Sequence, residues 1–118
     1  MSADLEDFLD TEVFDDKDRL IGSFECFWMD ADDQPQLVGI KLNSSADRTF
    51  LVPVVLITPD ERQSCIRIQA PERQIAYAPT LDCNEELNET TEEQAYNHFS
   101  LTAPSGPHEL HITRSHSK

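Results

Sequence analysis

The spacing of hydrophobic positions changes character at Leu20. Before it, Leu5, Phe8, Leu9 and Val13 fall at i, i+3, i+4 and i+8 among closely set acids, which would align them on one helical face. This predicts a short docking helix with apolar teeth; the alternative is a charge-solvated leader without fixed structure. From Leu20 onward, short apolar runs alternate with turn residues, the pattern of a small sandwich or barrel. Phe24 to Met29 reads as an aromatic strand, and Asp30-Ala31-Asp32-Asp33-Gln34-Pro35 favours a turn over continuation. Gln36 to Leu42 then sets Val38, Ile40 and Leu42 on one face, which makes the second strand of a hairpin.

After the polar connection Asn43 to Arg48 comes the most apolar run of the chain, Thr49 to Ile57. Pro53 interrupts it. Lacking an N–H, Pro53 requires an edge strand, a bulge, or a strand that stops and turns a corner. Cys65 to Ile68 is a fourth short strand with Ile66 and Ile68 on one face. Pro71-Glu72 opens a single helical turn that Pro79 would end. Thr90-Thr91-Glu92-Glu93 reads as the threonine-capped start of a second short helix presenting Tyr96 and Phe99. The expected organisation is an acidic arm (1–19), a β-domain (20–82), a C-terminal helical extension (83–100) and a flexible tail (101–118). Val38, Ile40, Leu51, Val54, Ile66 and Ile68 are the core candidates.

Charge narrows the partners. With 23 acidic against 9 basic residues the formal net charge is -14, and such a field repels phosphate backbones and anionic lipid. Direct nucleic-acid binding is not expected. No window approaches the roughly 18 apolar residues of a membrane span, and the first twenty residues carry acids where a secretory signal needs a basic start. Membrane insertion is therefore not expected either, and the chain reads as cytoplasmic. Cys26, Cys65 and Cys83 are odd in number and lack CxxC spacing, so three free thiols are expected, with Cys83 the most exposed.

Candidate chemistry is sparse. Asp30, Asp32 and Asp33 fail as a calcium loop because Pro35 and Lys41 stand where glycine and glutamate are needed. His108-Glu109-Leu110-His111, with His116, could hold a transition metal only on a rigid frame, which a Pro/Ser/Gly tail does not offer. His98 has no identified acid or base partner. No glycine-rich phosphate loop or GxSxG is present. The expectation is a protein without catalytic residues, metal or cofactor. Weak metal binding or catalysis by His98, His108, His111 or Cys83 is the minority reading.

From about Leu20 to Phe99 the sequence resembles the PRC-barrel family, the β-domain shared by the photosynthetic reaction centre H subunit and a ribosome-maturation factor. Leu20-Ile21-Gly22-Ser23-Phe24 resembles the family's opening, Phe27-Trp28-Met29-Asp30 its apolar strand ending in aspartate, and Gln36 to Lys41 its second strand. Phe50-Leu51-Val52-Pro53-Val54 resembles its Val-Pro signature. Ala76-Tyr77-Ala78-Pro79-Thr80-Leu81-Asp82, followed by Tyr96-Asn97-His98-Phe99, resembles the ending of stand-alone and H-subunit-like members. Phe99 replaces the final tyrosine, and neither the H subunit's membrane helix nor the ribosome factor's N-terminal domain precedes the match.

The resemblance implies a mainly β fold, a small barrel of about five or six strands with a short C-terminal helical extension. Trp28 is then expected to pack beneath the C-terminal arm. The function it suggests is a non-catalytic interaction or assembly module that binds a protein partner or forms a homodimer. Leu5, Phe8, Leu9, Trp28, Tyr96 and Phe99 are the candidate interaction residues. An H-subunit-like accessory role in electron or proton transfer within a membrane partner is the alternative.

Overall fold

The aromatic run and the alternating run form the long hairpin predicted for them. In the computed structural model, which describes residues 5–29, 34–101 and 111–113, strand β2 (Leu20–Met29) and strand β3 (Pro35–Leu42) pair antiparallel. Phe27 stands opposite Val38 and Trp28 opposite Leu37. The register shifts between Phe24 and Cys26, a bulge at Glu25. Because of that extra residue, Phe24 and Phe27 reach one face while Cys26 and Trp28 reach the other. Gly22 allows the close approach of β3, since a Cβ there would lie 1.9 Å from the Lys41 carbonyl oxygen.

Strand β4 (Ser45–Pro53) continues the sheet beyond β3, with Val52 opposite Val38 and Leu51 opposite Gly39. The polar stretch expected as a connection is therefore mostly strand, and the turn is reduced to Asn43 and Ser44. Pro53 ends β4 and turns a corner, one of the options its missing N–H left open. A short 3-10 turn (Val54–Leu56) leads into strand β5 (Ile57–Asp60), which pairs antiparallel with β6 (Cys65–Ile68). One feature of the leader differs from both sequence readings. Leu5–Phe8 is a single 3-10 turn, Asp10 takes a left-handed φ of 69°, and Glu12–Phe14 is strand β1. Strand β1 lies between β2 (antiparallel) and β6 (parallel), and Val13 is fully buried. The i, i+3, i+4 spacing of the leader serves burial of Phe8 and Leu9 in the domain's own core.

The strand order β4-β3-β2-β1-β6-β5 makes a mainly β, mixed sheet. It is not closed into the expected barrel. Among the described residues strand β5 pairs only with β6, and the outer edge of β4 is covered by a later segment instead: Leu51 N–H donates to the Pro79 carbonyl (2.9 Å) and Leu81 N–H to the Thr49 carbonyl (3.0 Å). Strand β7 (His111–Thr113) adds to β2 beside Phe27–Met29. Among the described residues, no helix is long and apolar enough to cross a membrane.

Each face of the central strands is buried. On one side, Phe24, Phe27, Val38, Ile40, Phe50 and Val52 pack with Val13, Ile66, Ile68 and Ile75. On the other, Cys26, Trp28, Leu37 and Leu51 lie under Leu87, Ala95 and Tyr96 of the C-terminal arm. Of the core candidates, Val38, Ile40, Ile66 and Ile68 share the first side, Leu51 belongs to the second, and Val54 is only half-buried. The arm contains helix α1 (Glu72–Ile75) and helix α2 (Glu89–His98). The cap of α2 is Asn88 rather than a threonine, its side-chain oxygen accepting from Thr91 N–H at 2.7 Å.

The cysteines overturn the expectation of three free thiols. Cys26 of β2 and Cys83 of the arm form a disulfide, with Cα atoms 5.8 Å apart. Only Cys65 is free and it is buried; burial, with Asp60 and Glu12 nearby, pushes its thiol pKa up and leaves it poorly reactive. Under denaturing, non-reducing conditions one titratable thiol per chain is expected, and three would contradict the pairing. Replacing both Cys26 and Cys83 by serine should lower the unfolding free energy by roughly 2–4 kcal/mol, the scale for a link spanning 57 residues.

Candidate functional site

The residues singled out for interaction are mostly interior. Trp28 is fully buried beneath the arm, as expected, and its indole N–H donates to the Glu85 carbonyl at 3.0 Å. The Tyr96 hydroxyl donates to the Gln36 carbonyl, also at 3.0 Å. Phe99 joins the main core with Phe8 and Leu9, and Leu5 packs half-buried against them. Tyr96 and Phe99 therefore seal their own domain, and Phe8, Leu9 and Trp28 are buried with them within the chain.

Of the histidines of the minority reading, only the His98 side chain lies among the described residues. His98 Nε2 donates to the Gln74 carbonyl at 2.6 Å, and the Gln74 side-chain amide donates to the His98 carbonyl at 3.4 Å. This reciprocal pair ties α2 to α1, so His98 is a structural clamp, and Cys83 is consumed by the disulfide. Among the described residues, no three His, Cys, Asp or Glu side chains are grouped to hold a metal. His108, His116 and the acids Asp30, Asp32 and Asp33 lie outside the described residues, and His111 enters only as backbone.

A different site emerges where the β1–β2 turn, the β3–β4 turn and α1 meet. They enclose a cleft of about 580 Å³ lined by Lys17, Arg19, Ser44, Ser45, Pro71, Glu72, Arg73, Ala76 and Tyr77. Three of the nine cations of an acidic chain line it. Tyr77 is 78% exposed, and Leu20, next to Arg19 in the chain, is 48% exposed. The only acid on the wall, Glu72, accepts from the Ser44 hydroxyl at 3.3 Å.

The first wall is built around a buried carboxylate. Asp15 is 2% exposed and accepts from the backbone N–H groups of Lys17 and Arg19, each at 2.9 Å. The Arg19 guanidinium adds contacts from Nε and Nη2, both at 3.3 Å. Asp18 closes the turn at a φ of 64° with its N–H on the Asp15 carbonyl, and its carboxylate pairs with Arg67. Arg67 in turn holds Asp60 at 3.5 Å and lies 5.5 Å over the Phe14 ring. The turn is thus fixed from inside by Asp15 and from outside by Arg67, and its backbone carries Lys17 and Arg19 to the cleft. No sequence signal marked this site, because its cations are spread from residue 17 to residue 73 and converge only through the fold.

No protein-family model matches the chain, and no curated protein matches it. What the cleft can do follows from its own residues: two arginines, a lysine, an exposed tyrosine and serine hydroxyls suit a non-covalent, anion-accepting contact.

Burial alone raises the Asp15 pKa, yet the Arg19 and Lys17 backbone hydrogen bonds and the Arg19 charge outweigh it and hold the carboxyl below its ordinary range. A depressed folded pKa gives stability that is present above the unfolded value of about 3.9 and is lost as pH falls through the folded value. Asp15→Asn should therefore cost about 1–3 kcal/mol at neutral pH, with the gap to the unmodified protein narrowing below about pH 4. Denaturant titrations across that range check this; a gap of constant size would contradict it.

Proposed function

We propose that this chain is a non-catalytic protein-interaction module of the PRC-barrel type, docking a protein partner at the Lys17/Arg73/Tyr77 cleft. The observation that carries this reading is the composition of the cleft. Arginine and tyrosine are the residues most enriched at binding hot spots, and here two arginines and a largely exposed tyrosine flank one concave surface. The resemblance of Leu20 to Phe99 to the PRC-barrel family supports the same class, since its members serve by assembling onto other proteins. A homodimer through Tyr96 and Phe99 is not part of the proposal, because both pack into their own domain.

The compartment follows the cysteine chemistry. Cytoplasmic residence was expected from the lack of an apolar span and of a signal-like start, with free thiols as the default there, whereas a Cys26–Cys83 link is chemistry that persists under oxidising conditions. We propose that the oxidised, arm-locked chain is the working form.

Capture from extracts of the native cell by the purified oxidised protein, set against Tyr77→Ala, tests the role. A discrete partner retained by the unmodified protein should be lost or weakened roughly tenfold or more by the variant, as for removal of a hot-spot side chain. Equal capture of the same proteins by both would count against the cleft as the docking surface.

A further inference from the structure

We infer that the cleft recognises a short acidic peptide segment, with Lys17 and Arg73 meeting its carboxylates and Tyr77, Pro71 and Ala76 covering its apolar atoms. This rests on the proposed interaction role and names what that role reads.

The cations of this chain are unequally engaged. Arg67 is paired with Asp18 and Asp60, Lys41 lies 4.0 Å from Glu25, and Arg19 is held by Asp15. Lys17 and Arg73, like Arg48 and Arg62, are exposed and carry no ion pair among the described residues, but Lys17 and Arg73 line one cleft, from the β1–β2 turn and from α1. In a chain of net charge -14, three cations against one acid, Glu72, line this cleft. A complementary ligand brings carboxylates to both walls.

Size and lining decide among anions. A volume of about 580 Å³ falls within the roughly 300–1,000 Å³ of ligand pockets and exceeds what one inorganic anion fills. A bare anion would also leave Pro71, Ala76 and the Tyr77 ring uncovered. A long polyanion such as nucleic acid would extend from the cleft onto the acidic surface and be repelled there. A short segment confines its charge to the cationic walls. A second copy of this chain would carry its own net charge of -14 into the approach, which disfavours self-docking.

Selection of random peptides displayed on phage, against the oxidised protein and against Lys17→Glu/Arg73→Glu, tests the assignment without presupposing a sequence. Peptides retained by the unmodified protein should be rich in Asp and Glu beside apolar residues. As synthetic peptides they should bind roughly tenfold or more weakly to the double variant, and progressively less as salt is raised. Both positions are exposed, so unchanged circular dichroism and thermal midpoint are expected for the variant; Lys17→Gln/Arg73→Gln serves the same purpose if charge reversal disturbs the fold. Selected peptides without acidic excess, equal retention by the variants, or inorganic phosphate binding as tightly as the peptides would overturn the inference. A cellular partner lost with Tyr77→Ala but retained by Lys17→Glu/Arg73→Glu would also overturn it, while leaving the interaction role in place.

Discussion

The structure depends on covering the second face of the β2-β3-β4 sheet. These strands are apolar on both sides: Val38, Ile40 and Val52 point into the main core, while Cys26, Trp28, Leu37 and Leu51 point the other way. Left in water, that second face would forgo about 1.5–3 kcal/mol for each buried leucine and would offer an adhesive surface. The arm after β6 supplies the cover. It crosses the β4 edge at Pro79–Leu81, binds β2 covalently at Cys83, accepts the Trp28 indole N–H at Glu85 and lays Leu87, Ala95 and Tyr96 over the patch. The same crossing occupies the β4 edge and leaves the sheet open instead of closed.

The cleft is a by-product of that path. Helix α1 is the first turn of the arm, and His98 fastens α2 back to it through Gln74. With the arm anchored on the far side, Arg73 and Tyr77 line one cleft with the β1–β2 turn, whose shape is set by the buried Asp15. Packing of the second face and presentation of the cationic walls are therefore linked through one segment of chain.

The mainly β character, the β2–β3 hairpin, the interruption at Pro53, the strand at Cys65–Ile68 and the fate of Trp28 were legible because each rests on local alternation, on proline's missing N–H, or on simple size. The leader was not. A three-residue strand such as Glu12–Phe14 leaves too short a pattern to distinguish from helix spacing, and its pairing with β6 is a long-range, parallel contact. The α2 cap was placed on a threonine instead of Asn88 because Asn88, Thr90 and Thr91 all carry capping chemistry. The disulfide was hidden by the buried third cysteine, which made the count odd, and by a separation of 57 residues that no spacing rule addresses. The cleft was illegible for a related reason: complementary cations carry no mutual sequence signal until the fold brings them together.

Gly39 offers the most direct measurement of the central claim. It sits on the covered face opposite Leu51, and a Cβ there would lie 2.7 Å from Thr49 Cγ2, 2.8 Å from Cys26 Sγ and 3.2 Å from the Trp28 ring. In a strand interior alanine is ordinarily more favourable than glycine by roughly 0.5–1 kcal/mol. If the second face is packed tightly under the disulfide-bound arm, Gly39→Ala should reverse that sign and lower the thermal midpoint of the oxidised protein, with the Trp28 fluorescence moving toward that of a solvated indole. An unchanged or raised midpoint with unaltered fluorescence would contradict the packed second face on which the rest of the fold depends.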